Sequence, residues 1–330
     1  MFQLSAIVPN DLDGGINLID IGASGGIPAY WKPLSHLTNF IGFDPNEQEC
    51  LRLNSLQSNF LSHRFLPHAI AGEIGQALLY KTKSPYCWSL LPPNLEWLRR
   101  FSFSDLFEVE ETEAVATNTL ASIPALQGMD IDAVKLDTQG LELPILKASE
   151  EIVKRCILIE TETGFTDNYL GETTFDQIAQ YMRSMGFGLF DINTNHRVPR
   201  KNAYSGLSRN EEILWCEAIW LRDFSSRVSK ATGAIPRAKA LKALCIHAHH
   251  GCLSSGLEAA TEFRARGVLS DQEYHDLSGD VSAWKLRGPE RAKAGSRILR
   301  SLIHLIPRRY YPSITESLEV LRSIRHPFLP

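Results

Sequence analysis

The sequence predicts an α/β protein built on a doubly wound, mostly parallel sheet, followed by an all-helical C-terminal extension. Three observations support this fold class. Short apolar runs recur along the first two thirds of the chain, and several of them end in a carboxylate followed by a turn. Segments long enough for helices separate many of these runs, as in βαβ units. Beyond residue 236 the apolar residues follow helical spacing instead.

The composition indicates a globular protein, since 44% of the 330 residues are hydrophobic and 22% are charged. No apolar run approaches the roughly 20 residues that span a bilayer, and the N-terminus lacks a basic, apolar leader. The six cysteines include no Cys-x-x-Cys pair, which favours buried free thiols in a reducing compartment. We therefore expect a cytoplasmic protein.

The first predicted strand, residues 18–21, leads into a glycine-rich turn and then into Pro28, which suits the first turn of a helix. In an open α/β sheet this turn lies beyond the carboxyl edge of the strands, where ligands bind. The spacing Asp20-x-Gly22-x-x-x-Gly26 differs from the Gly-x-Gly-x-x-Gly of dinucleotide folds and is typical of S-adenosylmethionine (SAM) methyltransferases. An ordinary β–α turn that needs positive φ would also explain the glycines. The candidate cofactor-binding residues of this turn are Asp20, Gly22, Ala23, Ser24, Gly25 and Gly26.

A second strand, residues 40–43, ends in Asp44, and a helix is expected over residues 29–38 between the two strands. A carboxylate at this position accepts hydrogen bonds from ribose hydroxyls in α/β nucleoside-binding proteins. Asp44 followed by Pro45 is also the pattern of a helix N-cap, and one residue can serve both roles. We expect the helix that follows to cover residues 47–59.

The third strand is expected over residues 63–70, where His68 and Ala69 are candidates for contacts with adenine. A surface-loop histidine is an equally good interpretation of His68. Further strands are predicted over residues 75–81 and 109–118, followed by a short helical link over residues 120–127. The aromatic segment between those two strands, residues 86–93, is in the right place to cover a pocket.

A strand that starts at Ile131 ends at Asp137 and should lie beside the first strand, which brings Asp137 next to the glycine-rich turn. The next strand, residues 156–162, again ends in carboxylates. Lys135 is expected to pair with an acid such as Glu160, because an unpaired buried ammonium group is costly. The candidates for a catalytic base are Asp137, Glu160, Glu162 and Glu142.

A helix over residues 174–185 and strands over residues 188–192 and 213–221 complete a seven-stranded, Rossmann-like sheet. The polar, basic loop between these strands, residues 193–210, suits a substrate-facing lid.

Residues 15–222 resemble the FkbM-type family of SAM-dependent methyltransferases. The segments that carry the resemblance are residues 18–26, 42–45, 118–120, 134–142, 146–148 and 157–160. The resemblance implies SAM as the cofactor and methyl transfer to a hydroxyl of a sugar, glycan or secondary metabolite. It also implies that Asp137 faces the methionine amine or the substrate. The family usually has an acid just before the glycine of the 134–142 block, whereas this chain has Gln139, which leaves the role of that acid open.

Two other function classes stay open. A nicotinamide oxidoreductase would share the sheet, but the glycine spacing and the absence of a Tyr-x-x-x-Lys pair argue against it. A non-catalytic module that binds a partner would keep the fold without binding SAM. We predict no metal site: the cysteines and histidines of residues 245–252 would point in different directions on a helix. We expect a small-molecule or glycan acceptor and no nucleic-acid partner.

The C-terminal third has a different charge balance, with 17 basic and 10 acidic residues in 223–330 against 17 and 28 in 1–222. We expect a methyltransferase domain over residues 1–222, a linker over 223–235 and a basic all-α domain over 236–330. Capping boxes are predicted at Ser270 and Ser313. The basic, amphipathic segment 291–309 is interpreted as a core helix of a small bundle. Its alternative is contact with a protein partner or with the inner face of an anionic membrane.

Overall fold

The structure is a computed structural model that describes residues 12–193, 196–202, 211–225 and 235–278. The chain divides into two compact units. The sheet unit comprises residues 14–27 and 35–223, and the helical unit includes residues 28–34 and the described helices that follow residue 224. The predicted domain boundaries at residues 222 and 236 stay a prediction.

The strands are β1 (Ile16–Ile21), β2 (Thr38–Phe43), β3 (Ser62–Leu66), β4 (Ala69–Ile70), β5 (Gly75–Thr82), β6 (Val109–Asn118), β7 (Ala133–Leu136), β8 (Leu158–Gly164), β9 (Phe187–Asn193), β10 (Arg197–Val198), β11 (Glu212–Ile213) and β12 (Trp215–Arg222). The main sheet has the order β3-β2-β1-β7-β8-β12-β9, and only β12 runs antiparallel to its neighbours. This confirms the doubly wound, mostly parallel, seven-stranded sheet. Two smaller sheets have the orders β4-β6-β5 and β10-β11.

The α-helices of the sheet unit are α1 (Glu47–Asn54), α2 (Leu95–Leu98), α3 (Glu142–Ala148), α4 (Glu150–Val153) and α5 (Phe175–Ser184). The described part of the helical unit contains α6 (Arg237–His249) and α7 (Leu253–Ala265), and residues 271–278 are also helical. Short 3₁₀ helices are Ala29–Leu37, Pro85–Cys87, Ser104–Phe107, Leu120–Ser122 and Pro124–Leu126.

The central strands β1, β7 and β8 are buried along almost their whole length. Parallel strands in the middle of such a sheet are covered on both faces, so their sequences are nearly continuous apolar runs. Ile19, Val134, Ile159 and Trp220 belong to this core and are at most 2% exposed. The burial of these strands fixes the positions of the loops that follow them.

Several predicted elements have different limits in the structure. The segment expected as a helix over 29–38 is a 3₁₀ helix, and Pro33 inside it lacks the N–H that an α-helical bond would need. The helix expected over 47–59 ends at Asn54. The strand expected over 63–70 divides at Pro67 into β3 and β4, which join different sheets. The helical link after Asn118 forms two 3₁₀ turns.

In the helical unit, α6 and α7 pack against Phe224, whose ring lies 5.2 Å from that of Phe263. The predicted capping box at Ser270 is present, with Glu273 accepting the Ser270 N–H at 2.8 Å. Within the described ranges, no helix has the length and apolar character needed to cross a membrane. The segment 291–309 and the capping box at Ser313 lie outside the described residues, as do residues 203–210 of the predicted lid.

Candidate functional site

The carboxyl ends of β1, β2, β7 and β8 meet at one edge of the main sheet, where the strand order reverses between β1 and β7. In doubly wound sheets this reversal leaves a crevice in which ligands bind. A pocket of about 550 Å³ opens there, which is within the usual range for a small-molecule site. The sheet topology thus places the pocket at the loops that the sequence indicates.

The glycine-rich turn packs directly on the end of β7. Gly22 has φ +82°, and its N–H donates to the carbonyl oxygen of Phe43 at 2.8 Å. A Cβ at Gly22 would lie 1.9 Å from the carbonyl oxygen of Asp137. Asp137 in turn donates its N–H to the carbonyl oxygen of Ile21 at 2.9 Å. Only a glycine fits this close approach of two loops.

Asp44 follows β2 and lines the pocket. Its carboxylate accepts N–H groups of Asn46, at 2.8 Å, and Ser24, which ties the end of β2 to the glycine-rich turn. Burial raises the pKa of Asp44 to about 6, although these N–H groups favour its ionised form. The helix N-cap is the neighbouring Asn46, which accepts the N–H of Glu49 at 3.1 Å. The side chain of Asp44 therefore remains directed at the pocket.

Asp20, Lys135 and Glu160 form a row across β1, β7 and β8, because they are partners in the parallel register. Lys135 Nζ lies 3.3 Å from Asp20 Oδ1 and 3.6 Å from Asp137 Oδ2. Sequence reasoning pointed to Glu160 and missed these two partners; the charge of Glu160 adds to the attraction. Burial raises the pKa of Asp20 to about 6, and Lys135 opposes that rise. Burial alone would lower the pKa of Lys135, but the surrounding carboxylates raise it.

Asp137, directly after β7, and Glu162, within β8, each lie two residues beyond the paired Lys135 and Glu160, so they stand side by side at this edge of the sheet. Both line the pocket. Burial, followed by the charge of Asp137, raises the pKa of Glu162 well above its ordinary value. The parallel register therefore places a pair of carboxylates on the floor of the pocket.

Gln139 connects this pair. Its Nε2 donates to Asp137 Oδ1 at 2.8 Å and to Glu162 Oε1 at 3.1 Å, and its Oε1 accepts the hydroxyl of Tyr169 at 2.9 Å. Its carbonyl oxygen accepts the hydroxyl of Ser89 at 2.8 Å. The sequence singled out position 139 but not Tyr169 or Ser89, which come from distant loops and carry no motif.

Two further carboxylates support the turn after β7. Glu142 accepts the N–H and the hydroxyl of Thr138, each at 2.8 Å, and is completely buried, which raises its pKa to about 7. Glu172 accepts the N–H of Tyr169 at 2.6 Å and lines the pocket, and burial raises its pKa to about 8. Glu142 therefore holds the backbone of the turn and does not reach the pocket.

The predicted site residues divide into two groups. Those that line the pocket are Gly22, Ser24, Asp44, His68, Ala69, Asp137 and Glu162. Those that are not among its lining residues are Asp20, Ala23, Gly25, Gly26 and Glu160. Asp20 and Glu160 are buried at 1% and 5% exposure, respectively, and both lie next to Lys135. Asp20 and Glu160 therefore lie within the sheet beneath the pocket.

The pocket also has an aromatic wall that comes mainly from the segment between β5 and β6. The aromatic side chains that line it include Tyr86, Trp88, Phe103, Phe107 and Trp215. The ring of Phe103 lies 5.3 Å from that of Phe107 and 5.7 Å from that of Trp215. The predicted aromatic segment thus contributes to the pocket, together with Trp215, which sequence reasoning missed.

The profile of the methyltransferase FkbM domain matches residues 20–189, just over half of the chain. The chain belongs to this family. The match contains the glycine-rich turn, Asp44 and the carboxylate pair at the ends of β7 and β8. The resemblance seen in the sequence is thereby confirmed, and the protein is a SAM-dependent methyltransferase.

Solved methyltransferase structures also align with this FkbM methyltransferase. Magnesium protoporphyrin IX methyltransferase from Synechocystis PCC 6803 with bound SAM aligns at 11% identity over 64% of this chain and 73% of that chain, with a TM-score of 0.34. A TehB-like SAM-dependent methyltransferase from Corynebacterium glutamicum aligns at 10% identity over 63% and 80%, with a TM-score of 0.30. The N-methyltransferase NodS from Bradyrhizobium japonicum aligns at 10% identity over 64% and 90%, with a TM-score of 0.29. No curated protein sequence matches the chain.

The residues of the FkbM methyltransferase pocket fit SAM. The glycine turn brings backbone to the pocket where a side chain would not fit, and Asp44 offers a carboxylate for ribose hydroxyls. The ring of His68 lies 6.3 Å from that of Phe43 at the position expected for adenine. Gly22, Ser24, Asp44, His68 and Asp137 would thus hold the cofactor. When bound, SAM supplies an electrophilic methyl group whose C–S electron pair stays on sulfur as the methyl leaves.

Proposed function

We propose that this FkbM methyltransferase methylates a hydroxyl group of a neutral acceptor, such as a sugar, a glycan or a secondary metabolite. The observation that carries the proposal is the pair Asp137 and Glu162, side by side on the floor of the pocket and next to Gly22. A neutral hydroxyl is a weak nucleophile, so its methylation benefits from a carboxylate that takes its proton. The pocket holds such a group at the edge where the cofactor would bind.

Within the pair, Glu162 suits the role of base and Asp137 the role of cofactor ligand. Lys135 lies 3.6 Å from Asp137, and Asp137 contacts the glycine-rich turn. Burial raises the pKa of Glu162, which makes its carboxylate a stronger base. Glu162 would accept the proton that the acceptor hydroxyl loses as its oxygen forms the new bond to carbon. The other predicted bases, Glu160 and Glu142, do not line the pocket.

The lining of the pocket favours a neutral acceptor over an anionic one. The lining residues that the structure describes include four acidic side chains, Asp44, Asp137, Glu162 and Glu172, and neither lysine nor arginine. A phosphate or carboxylate on the acceptor would be repelled in this low-dielectric space. The aromatic wall offers flat apolar surfaces of the kind that pack against sugar rings and other ring systems.

The proposal can be tested with SAM that carries a ¹³C-labelled methyl group. Purified protein is incubated with neutral glycosides, with their uronic-acid or phosphorylated analogues, and with amines of similar size. We expect NMR to show a methyl ether on a neutral glycoside or other hydroxyl compound, and Glu162→Gln to reduce its rate of formation while retaining affinity for S-adenosylhomocysteine (SAH). A product methylated on nitrogen or carboxylate, or full activity of Glu162→Gln, would contradict the proposal.

A further inference from the structure

The side-chain amide of Gln139 forms hydrogen bonds with Asp137, Glu162 and Tyr169 in the pocket. Its Nε2 lies 2.8 Å from Asp137 Oδ1 and 3.1 Å from Glu162 Oε1, so each carboxylate receives one N–H. Because ionised carboxylates only accept hydrogen bonds, the amide nitrogen must face them, and Oε1 then lies 2.9 Å from the hydroxyl of Tyr169, which also lies 3.0 Å from the carbonyl oxygen of Cys87. A carboxylate at position 139 could not make this arrangement, because it has no N–H to donate.

The backbone of Gln139 indicates that its side chain is needed. Its φ of +55° makes it the one non-glycine residue with positive φ in the part of the chain that the structure describes. Glycine adopts this conformation without strain, and the next residue, Gly140, also has positive φ. A strained conformation that persists at a ligand pocket is a reason to look for a function of the side chain. The hydroxyl of Ser89 donates to the carbonyl oxygen of Gln139 at 2.8 Å and helps to hold this conformation.

The two carboxylates would repel each other without nearby donors. The titratable groups that act on Glu162 or on Asp137 from the surrounding elements include Lys135, Asp20, Asp44, Glu217, Cys87 and Tyr169. Lys135 lies within 3.6 Å of Asp137, and the hydrogen bond that Glu162 receives comes from Gln139. The ammonium group of Lys135 thus attracts both carboxylates through its charge, and the amide of Gln139 adds a hydrogen bond to each of them.

We propose that Gln139 is a positioning residue whose two amide N–H groups hold Asp137 and Glu162 side by side and keep Glu162 ready to accept a proton. The assignment of Glu162 as the base rests on the proposed function. The positioning itself does not, because it follows from the three hydrogen bonds of the amide. Donation of N–H to a carboxylate stabilises its ionised form, so loss of the amide should make Glu162 harder to ionise.

The experiment follows the carboxyl groups directly. Protein labelled with ¹³C at Asp and Glu side-chain carboxyls is titrated by NMR without substrate, in the wild type, Gln139→Glu and Gln139→Met. Gln139→Glu replaces the donors by a third carboxylate, and Gln139→Met removes them without adding charge. Gln127→Glu adds the same charge at an exposed position and serves as the control. Because Gln139→Met is neutral, it keeps the test valid if Gln139→Glu fails to fold.

We expect the midpoint of Glu162 to rise by about one pH unit in both Gln139 variants, and to stay unchanged in Gln127→Glu. The acidic limb of the pH profile of kcat/KM should move by the same amount, with about tenfold lower activity at pH values below it. Unchanged titration of Glu162 in both Gln139 variants would overturn the positioning role. A shifted titration in the variants of a protein whose wild type forms no methyl ether would instead overturn the proposed function and leave the positioning role standing.

Discussion

Replacement of Gly22 by alanine tests whether the glycine-rich turn and the end of β7 form one packed unit. A Cβ at this position would lie 1.9 Å from the backbone oxygen of Asp137, and backbone cannot move aside as a flexible side chain can. The residue also has φ +82°, which costs a non-glycine residue roughly 1–2 kcal/mol. Relief of the overlap requires the end of β7 to shift, at a typical cost of about 1–3 kcal/mol. We expect Gly22→Ala to lower the free energy of unfolding by about 3 kcal/mol or more.

Two matched variants separate strain from overlap. Gly128 has φ +75°, and a Cβ added there would meet nothing within 4 Å, so Gly128→Ala introduces strain alone. Gly25 has φ +86° and only the flexible ring of Tyr86 nearby, at 3.5 Å, so Gly25→Ala introduces strain within the turn itself. Each control should cost about 1 kcal/mol, which leaves a difference of about 2 kcal/mol for the overlap at Gly22.

The assay combines urea denaturation with calorimetric titration of SAH. Because a displaced Asp137 changes the pocket, we expect Gly22→Ala to weaken SAH binding at least tenfold, equivalent to about 1.4 kcal/mol, and Gly128→Ala to leave it unchanged. The reasoning would be refuted if Gly22→Ala were as stable as Gly128→Ala and bound SAH with wild-type affinity. Loss of stability with intact binding would show instead that the turn relaxes away from the pocket.

Three other predictions use different parts of the sheet unit. Asp44→Asn should weaken SAH binding about tenfold in calorimetry, because a hydrogen bond to a charged acceptor contributes about 1.5–3 kcal/mol. Asp276→Asn, at an exposed position, should leave SAH binding unchanged. Burial raises the pKa of Glu172 from 4.5 to about 8. Between these values the folded chain holds a proton that the unfolded chain releases. This carboxyl group therefore makes the free energy of unfolding fall as the pH rises from about 5 to 8. In Glu172→Gln, urea denaturation at pH 6 and pH 8.5 should therefore show a smaller loss of stability than in the wild type, and an equal loss would contradict the assigned cause. Arg222 donates to the carbonyl oxygens of Cys156, Met185 and Val153. Arg222→Met should therefore lower the free energy of unfolding by about 3 kcal/mol. Arg183→Met, at an exposed position, should change it by less than about 0.5 kcal/mol.

The main sheet could be predicted because its strands are short apolar runs that end at recognisable turns. Asp44 and Asp137 each follow such a run directly, and the strand order of a doubly wound sheet brings the ends of β1 and β7 together. Position along the chain was therefore sufficient to place these two side chains at one edge.

The segments between the strands were harder to predict for physical reasons. Ala29–Leu37 has helical spacing, but Pro33 removes one N–H donor and the segment forms a 3₁₀ helix. Tyr169 and Ser89 reach Gln139 from loops 30 and 50 residues away in sequence, and no periodicity fixes where such loops lie. The site therefore contains groups that the sequence could predict and partners that only tertiary contacts reveal.

The balance of charge beneath the pocket explains why it can hold so many carboxylates. Lys135 is nearly enclosed by the sheet and lies between Asp20, Asp137 and Glu160, so it neutralises part of their charge. The remaining excess is negative, and burial raises the pKa of the carboxyl groups of Asp20 and Asp44 to about 6. A ligand that brings positive charge into this space relieves the repulsion among these carboxylates. The sulfonium and ammonium groups of SAM carry such charge, whereas SAH lacks the sulfonium, so we expect the protein to bind SAM more tightly than SAH.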